Sequence, residues 1–337
     1  MNTKKKIASI LSIVLVLTFP LTTPNPYTLQ FGINMLMFAY LASAWNIIGG
    51  YAGQMALGNV VYFGIGAYTS SVLFMYEGVS PWIGMIVGAL IAGGLSLLLG
   101  SLTFRLSGSY YSLSTVALLH VIRLIFISNP SMFGYKTNGA LGLYLPWGGD
   151  SFINIAFTDK YGYYYIIFAF LVGVLFISHK IKNSKMGYYL AAINTNQEAA
   201  ASLGVPVMGM KLKAGFISAA LTAIGGTYYV QMLQVVDPSR VFGYDFSVQI
   251  LFYAIIGGRG TLFGPVLAAF LMAPLNDFLR GWFGSSVAGL YLVIYGLILM
   301  VIIYYLPNGI WPFFQKMVDL LLGDKKSSRK IKQKGGN

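Results

Sequence analysis

A chain of 337 residues that is 57% hydrophobic and only 9% charged, with a mean hydropathy of +0.71, is too poor in charge for a soluble domain and reads as an integral membrane protein. The absence of cysteine excludes disulfides, iron–sulfur clusters and thiolate metal sites, and two histidines leave little room for other metal chemistry. The net charge of +13 is gathered at lysines 4–6, at 180–185 and at 325–334, each just beyond an apolar run. That is the signature of cytoplasmic flanks beside a lipid bilayer and not of a nucleic-acid surface.

The apolar runs are long and contain glycine, which predicts an all-α, polytopic transmembrane bundle rather than an outer-membrane barrel. In chain order they place ten crossings at 7–21, 28–48, 57–76, 82–104, 110–127, 161–178, 214–232, 246–256, 262–279 and 287–305. The first resembles a signal peptide, but no small-x-small cleavage site follows it, so it reads as an uncleaved span. The eighth is short for a core of about 30 Å and reads as broken or re-entrant. With both termini cytoplasmic, Arg105, Lys180, Lys182, Lys185 and Arg259 fall inside, and Glu77, Asp150, Asp159, Asp237 and Asp245 fall outside. The expected organisation is one transmembrane domain over 1–310, with a cytoplasmic segment at 190–213, and a basic cytoplasmic tail at 311–337. The longest external segment, 128–160, is rich in Gly, Asn, Tyr and Trp. It reads either as a loop over the bundle mouth or as a surface for a soluble external protein.

Between the sixth and seventh spans lies a polar interruption, TNQEAAASLGVPVMGMKLK at 195–213. Thr195 with Glu198 three residues on fits a capping box, Ala199 to Leu203 favour helix, and Gly204 with Pro206 ends it. A short helix at the membrane surface is expected there, either as a docking knob for a second protein or as an ordinary amphipathic loop helix. Two glycine-rich stretches also resemble each other: IIGGYAG at 47–53, with Gly49 and Gly50, and IIGGRG at 255–260, with Gly257 and Gly258. Paired interruptions of this kind mark the path in many transporters, and they equally serve tight helix packing. Asn46, Gln54 and Asn59 add polar groups that suit a substrate path or interhelical hydrogen bonds. His120 and Arg123, three apart in the fifth span, share a helix face that should turn to the bundle interior or a wet cavity, or else Arg123 snorkels to the membrane surface. No P-loop, H-E-x-x-H, G-x-S-x-G or paired intramembrane carboxylate is present, so no catalytic residue, metal site or cofactor is expected, and neither is an enzyme. Energy must come from a partner, or transport is passive.

The stretch AINTNQEAAASLGVPVMGMKLKAGFISAALTAIGGTYY resembles the "EAA" coupling segment of ABC-importer permeases, with Glu198, Ala199, Ala200 and Gly204 at the matching positions. SAWNIIGGYAGQMALGNVVYFGIGAYTS (43–70) and IIGGRGTLFGPVLAAF (255–270) sharpen this to the LivM-type permeases of branched-chain amino acid importers. Urea and some sugar permeases of the same superfamily carry similar segments, and a stand-alone secondary carrier or facilitative channel is the alternative from another class. The resemblance implies a multi-pass protein of the bacterial cytoplasmic membrane. A second, LivH-type permease would complete its pore, two cytoplasmic ABC ATPases would dock inside, with the coupling segment fitting a groove on an ATPase, and an extracytoplasmic amino-acid-binding protein would deliver leucine, isoleucine or valine.

Overall fold

The computed structural model describes residues 18–20, 25–106, 108–132, 134–283 and 289–321. Most of the expected first span at 7–21 and the basic residues 325–334 lie outside them. What is described is an all-α bundle with a few two-residue strands at one end.

Helix α1 (Pro26–Asn46) starts where the Asn25 side chain accepts the Tyr27 N–H at 3.0 Å and Pro26 presets the first turn. It runs into a π turn, Ile47–Tyr51. Helices α2 (Val60–Glu77) and α3 (Pro81–Thr103) follow, divided by Gly78, whose φ of 64° ends α2 in the left-handed cap that glycine adopts without strain. Then come α4 (Ser109–Ser128), α5 (Lys160–Lys182), α6 (Lys185–Thr195), α7 (Gln197–Ser202) and α8 (Val207–Leu233). The chain continues through α9 (Pro238–Val241), α10 (Tyr244–Gly257), α11 (Gly264–Phe283), α12 (Leu290–Tyr305) and α13 (Ile310–Leu321).

Helix α1 is the centre of the bundle: 78% of its apolar stretch is buried, against 11% for α4, which packs at the edge. Small residues let backbones cross closely around it. A Cβ at Gly66 would collide with the Ala223 carbonyl and one at Gly226 with the Phe63 carbonyl, so α2 and α8 meet without intervening side chains. Hydroxyl and amide bonds fix the crossing: Thr227 donates to the Gly66 carbonyl (3.1 Å), Ser218 to Ala44 (2.9 Å) and Tyr40 to Leu221 (2.6 Å).

At one end of the bundle, the 128–160 segment is tied down by pairing. Strand β1 (Ser131–Met132) pairs antiparallel with β2 (Tyr135–Lys136), and β3 (Leu143–Tyr144) pairs with β4 (Val235–Val236), just past α8. At the other end lie the π turn, α6, α7 and the 258–263 turn.

Five described helices, α1 (with its π turn), α3, α4, α5 and α8, are long and apolar enough to cross a membrane; α12 with α13, bent by 62°, makes a sixth candidate as a pair. The predicted spans at 57–76, 246–256 and 262–279 fall short, the first as an 18-residue helix, α2, that carries Thr69, Ser70, Ser71 and Glu77. The eighth predicted segment, α10, has 14 residues, about 21 Å of helix against a core of about 30 Å. Helix α11 carries Pro274, Asp277 and Arg280 within its 20 residues. Several boundaries move outward. The helix predicted at 161–178 extends to Lys182, the one at 214–232 begins at Val207, and α6 is an additional helix between them. The segment assigned to the tail from 311 onward begins as helix α13, in which apolar and polar residues segregate to opposite faces.

Candidate functional site

The short helix α7 is built and held by its ends. Asn196 sits in an extended conformation (φ −157°, ψ 111°), and its Oδ1 accepts the N–H groups of both Glu198 and Ala199 at 3.0 Å. This corrects the capping box expected from Thr195 and Glu198. Thr195 is still inside α6, and its hydroxyl turns back along that helix to donate to the Ala191 carbonyl (3.0 Å), away from the open N–H groups of the next helix. Asn196 supplies the side-chain oxygen instead. At the far end the Val205 N–H reaches the Ala200 carbonyl (3.1 Å) and the Gly204 N–H reaches Ala201 (2.9 Å), the paired bonds of a Schellman stop. Gly204 adopts φ +82° in open space, so its role is conformational freedom rather than room.

Only Ala200 of α7 is buried. Glu198 and Ala199 face solvent, Leu203 is 84% exposed just beyond the helix, and Tyr188 of α6 is 71% exposed. An apolar tip with a carboxylate, on a helix fixed at both ends, is a surface suited to a protein partner.

Two further ties were not legible in the sequence. Lys211, near the start of α8, is 1% exposed and donates through Nζ to Gln197 Oε1 at 2.6 Å, anchoring the first residue of α7. Asn194, near the end of α6, donates through Nδ2 to the Gly50 carbonyl at 3.1 Å. Nothing local marks Lys211: Lys213, two positions on in the same helix, is exposed.

The two glycine-rich stretches meet. Asn46 donates to the Thr261 carbonyl (2.8 Å) while its Oδ1 accepts the Gly260 N–H (3.0 Å), so both ends of one buried amide clasp the turn after α10. A Cβ at Gly50 would lie 2.6 Å from the Gly260 nitrogen, and one at Gly257 would collide with Gly264. Gly258, at φ +107°, is pressed by Gly309 from the turn between α12 and α13. Gly49 lies under the Trp45 ring. Gln54 donates locally to Ala52 (3.2 Å), and Asn59, 4% exposed, donates to Thr222 on α8 (3.0 Å). Asn46 and Asn59 therefore both join helices in this chain. His120 is exposed on α4 with its ring 6.1 Å from that of Tyr244, and Arg123 is half-buried with Nε unpartnered; neither lies in the interior of the bundle.

No group of three metal-capable side chains occurs among the described residues. The arrangement is an exposed short helix, fixed at both ends, that follows α6, whose Asn194 bonds the π turn at a junction of broken helices.

Comparison with known proteins agrees with this construction. The family described as branched-chain amino acid transport system, permease component, matches residues 27–303. The chain is 26% identical to the high-affinity branched-chain amino acid transport system permease protein LivM of Escherichia coli strain K12, over 97% of this chain and 79% of the relative. It is 26% identical to the Salmonella typhimurium protein of the same name, over 87% and 72%. It is also 24% identical to the L-arabinose ABC transporter permease protein AraH of Azospirillum brasilense, over 58% and 56%. No solved structure matches it. With a family match over most of its length, the chain belongs to the permease components of branched-chain amino acid transport systems.

Proposed function

We propose that this chain is the membrane permease subunit of an ABC importer, forming part of the translocation pathway for leucine, isoleucine and valine with energy supplied by partner ATPases. The observation that carries the reading is α7: a surface helix held by Asn196 and a Schellman stop, presenting Glu198 and Leu203 outward. Of two cytoplasmic ABC ATPases docked inside, one would take that helix in a groove. A second, LivH-type permease would pack on the exposed side of the bundle, and an external amino-acid-binding protein would dock near the strand-laced 128–160 segment. Ten spans with both termini cytoplasmic are supported by the positive-inside pattern, with the coupling segment at 190–213 on the same side as the lysines at 180–185.

Closure of the ATPases on ATP would displace α7 and rock the permease halves between outward- and inward-facing states. The chain need hold substrate only weakly, because selectivity resides in the external binding protein.

Uptake of labelled leucine by cells lacking the chain, and again after its restoration, tests the reading, with unlabelled isoleucine, valine, urea and arabinose as competitors. Lost and restored uptake competed by isoleucine and valine is expected. Competition by arabinose alone would move the assignment to a sugar, the reading that the partial similarity to AraH supports. Glu198→Lys should insert normally yet lose ATPase co-purification and transport.

A further inference from the structure

The hydrogen bond from Asn194 to the Gly50 carbonyl joins the α6–α7 segment to the place where the bundle's helices are broken. Helices α6 and α7 are separated only by Asn196, so the two form one elbow with Asn194 on its inner arm. The acceptor lies in the π turn that ends α1, where the regular helical bonding pattern stops; Gln54 N–H takes another carbonyl of the same region, Ile48, at 3.1 Å.

Space at the contact is set by glycine on every side. Gly53, at φ +70°, lies so close to the Asn194 amide that a Cβ there would strike Asn194 Oδ1. Gly50 closely approaches the Gly260 backbone, with the Asn46 amide wedged against both, and Asn46 fastens Gly260 and Thr261 to α1. A displacement of Asn194 therefore meets the π-turn backbone and an Asn46 amide already held at both ends, which leaves little slack to absorb it.

We propose that Asn194 is a positioning residue that carries movement of α7 into the Gly50–Gly260 junction, so that docking-side motion changes the angle between α1 and the α10–α11 turn. The inference rests on the coupling role proposed for α7.

The test uses the complete transporter with its ATPases in liposomes and three variants. Asn194→Asp keeps the shape but faces the Gly50 carbonyl with an acceptor, Asn194→Ala removes the group, and Asn194→Gln keeps a donor. ATPase co-purification and thermal stability should match the wild type in all three, since Asn194 is exposed on its other side. Leucine transported per ATP hydrolysed should fall about tenfold in the Asp and Ala variants, within the usual range of coupling free energies, and recover in part with Gln. An unchanged ratio in both Asp and Ala overturns the proposal. So does a parallel loss of thermal stability or ATPase association, which would make Asn194 an anchor and nothing more. Glu198→Lys, run alongside, separates the two ideas: if it still docks ATPase and transports, the coupling role of α7 itself fails, whatever Asn194 does.

Discussion

Asn196 satisfies two of the orphan N–H groups that every helix start leaves open, and α7 is too short to be stable without them. Asn196→Ala should cost about 1 kcal/mol of local helix stability. It is expected to reduce transport while membrane insertion, read by expression in the membrane fraction, stays normal. Lys211 presents the opposite case, a buried ammonium whose hydrogen-bond partner is a neutral amide. Desolvating that charge is costly and Gln197 repays little of it. Lys211→Met, of similar length, should therefore leave the melting temperature in detergent unchanged or raised, whereas Lys211→Ala, which opens a cavity, should lower it by the equivalent of about 2 kcal/mol or more. If Met and Ala destabilise equally, the lysine's charge, and not its packing, is what holds α7 to α8.

At the scale of elements, the α2–α8 crossing depends on the absence of side chains at Gly66 and Gly226. Gly226→Ala forces a methyl against the Phe63 carbonyl, a backbone atom that cannot swing aside, and overpacking of this sort costs about 1–3 kcal/mol. A lower melting temperature by size-exclusion of heated samples is the expected outcome, larger than for Gly94→Ala, where a Cβ meets nothing. The similarity of 47–53 to 255–260 was visible in the sequence, and the structure adds that the two stretches touch. Their contact runs through Asn46, a residue whose pairing across more than two hundred positions no local pattern announces. The helix at 197–202 was likewise legible from its alanines and Gly204. Its cap was misplaced by one residue because the preceding element, α6, was not foreseen as a helix able to consume Thr195.

For the whole molecule, α4 leaves most of its apolar length outside the bundle, with Arg123 half-buried and Nε unpartnered within it. A lone subunit with such an edge should carry no solute. Purified chain in liposomes without ATPases or a second permease is expected to give no leucine flux above empty vesicles, with or without ATP outside. Flux under those conditions would point to a stand-alone carrier or channel.

Composition and hydropathy alone determined that this is a helical membrane protein, because solvation by lipid constrains every long segment in the same way. Motifs determined the family, since a helix stop at Gly204 and the glycine interruptions are local backbone requirements that leave local marks. Only tertiary structure decided that Asn194 reaches Gly50, that Lys211 is buried, and that Asn46 clasps Gly260. Each is a contact between segments distant in the chain, and a single polar side chain carries no record in the sequence of which carbonyl it will meet.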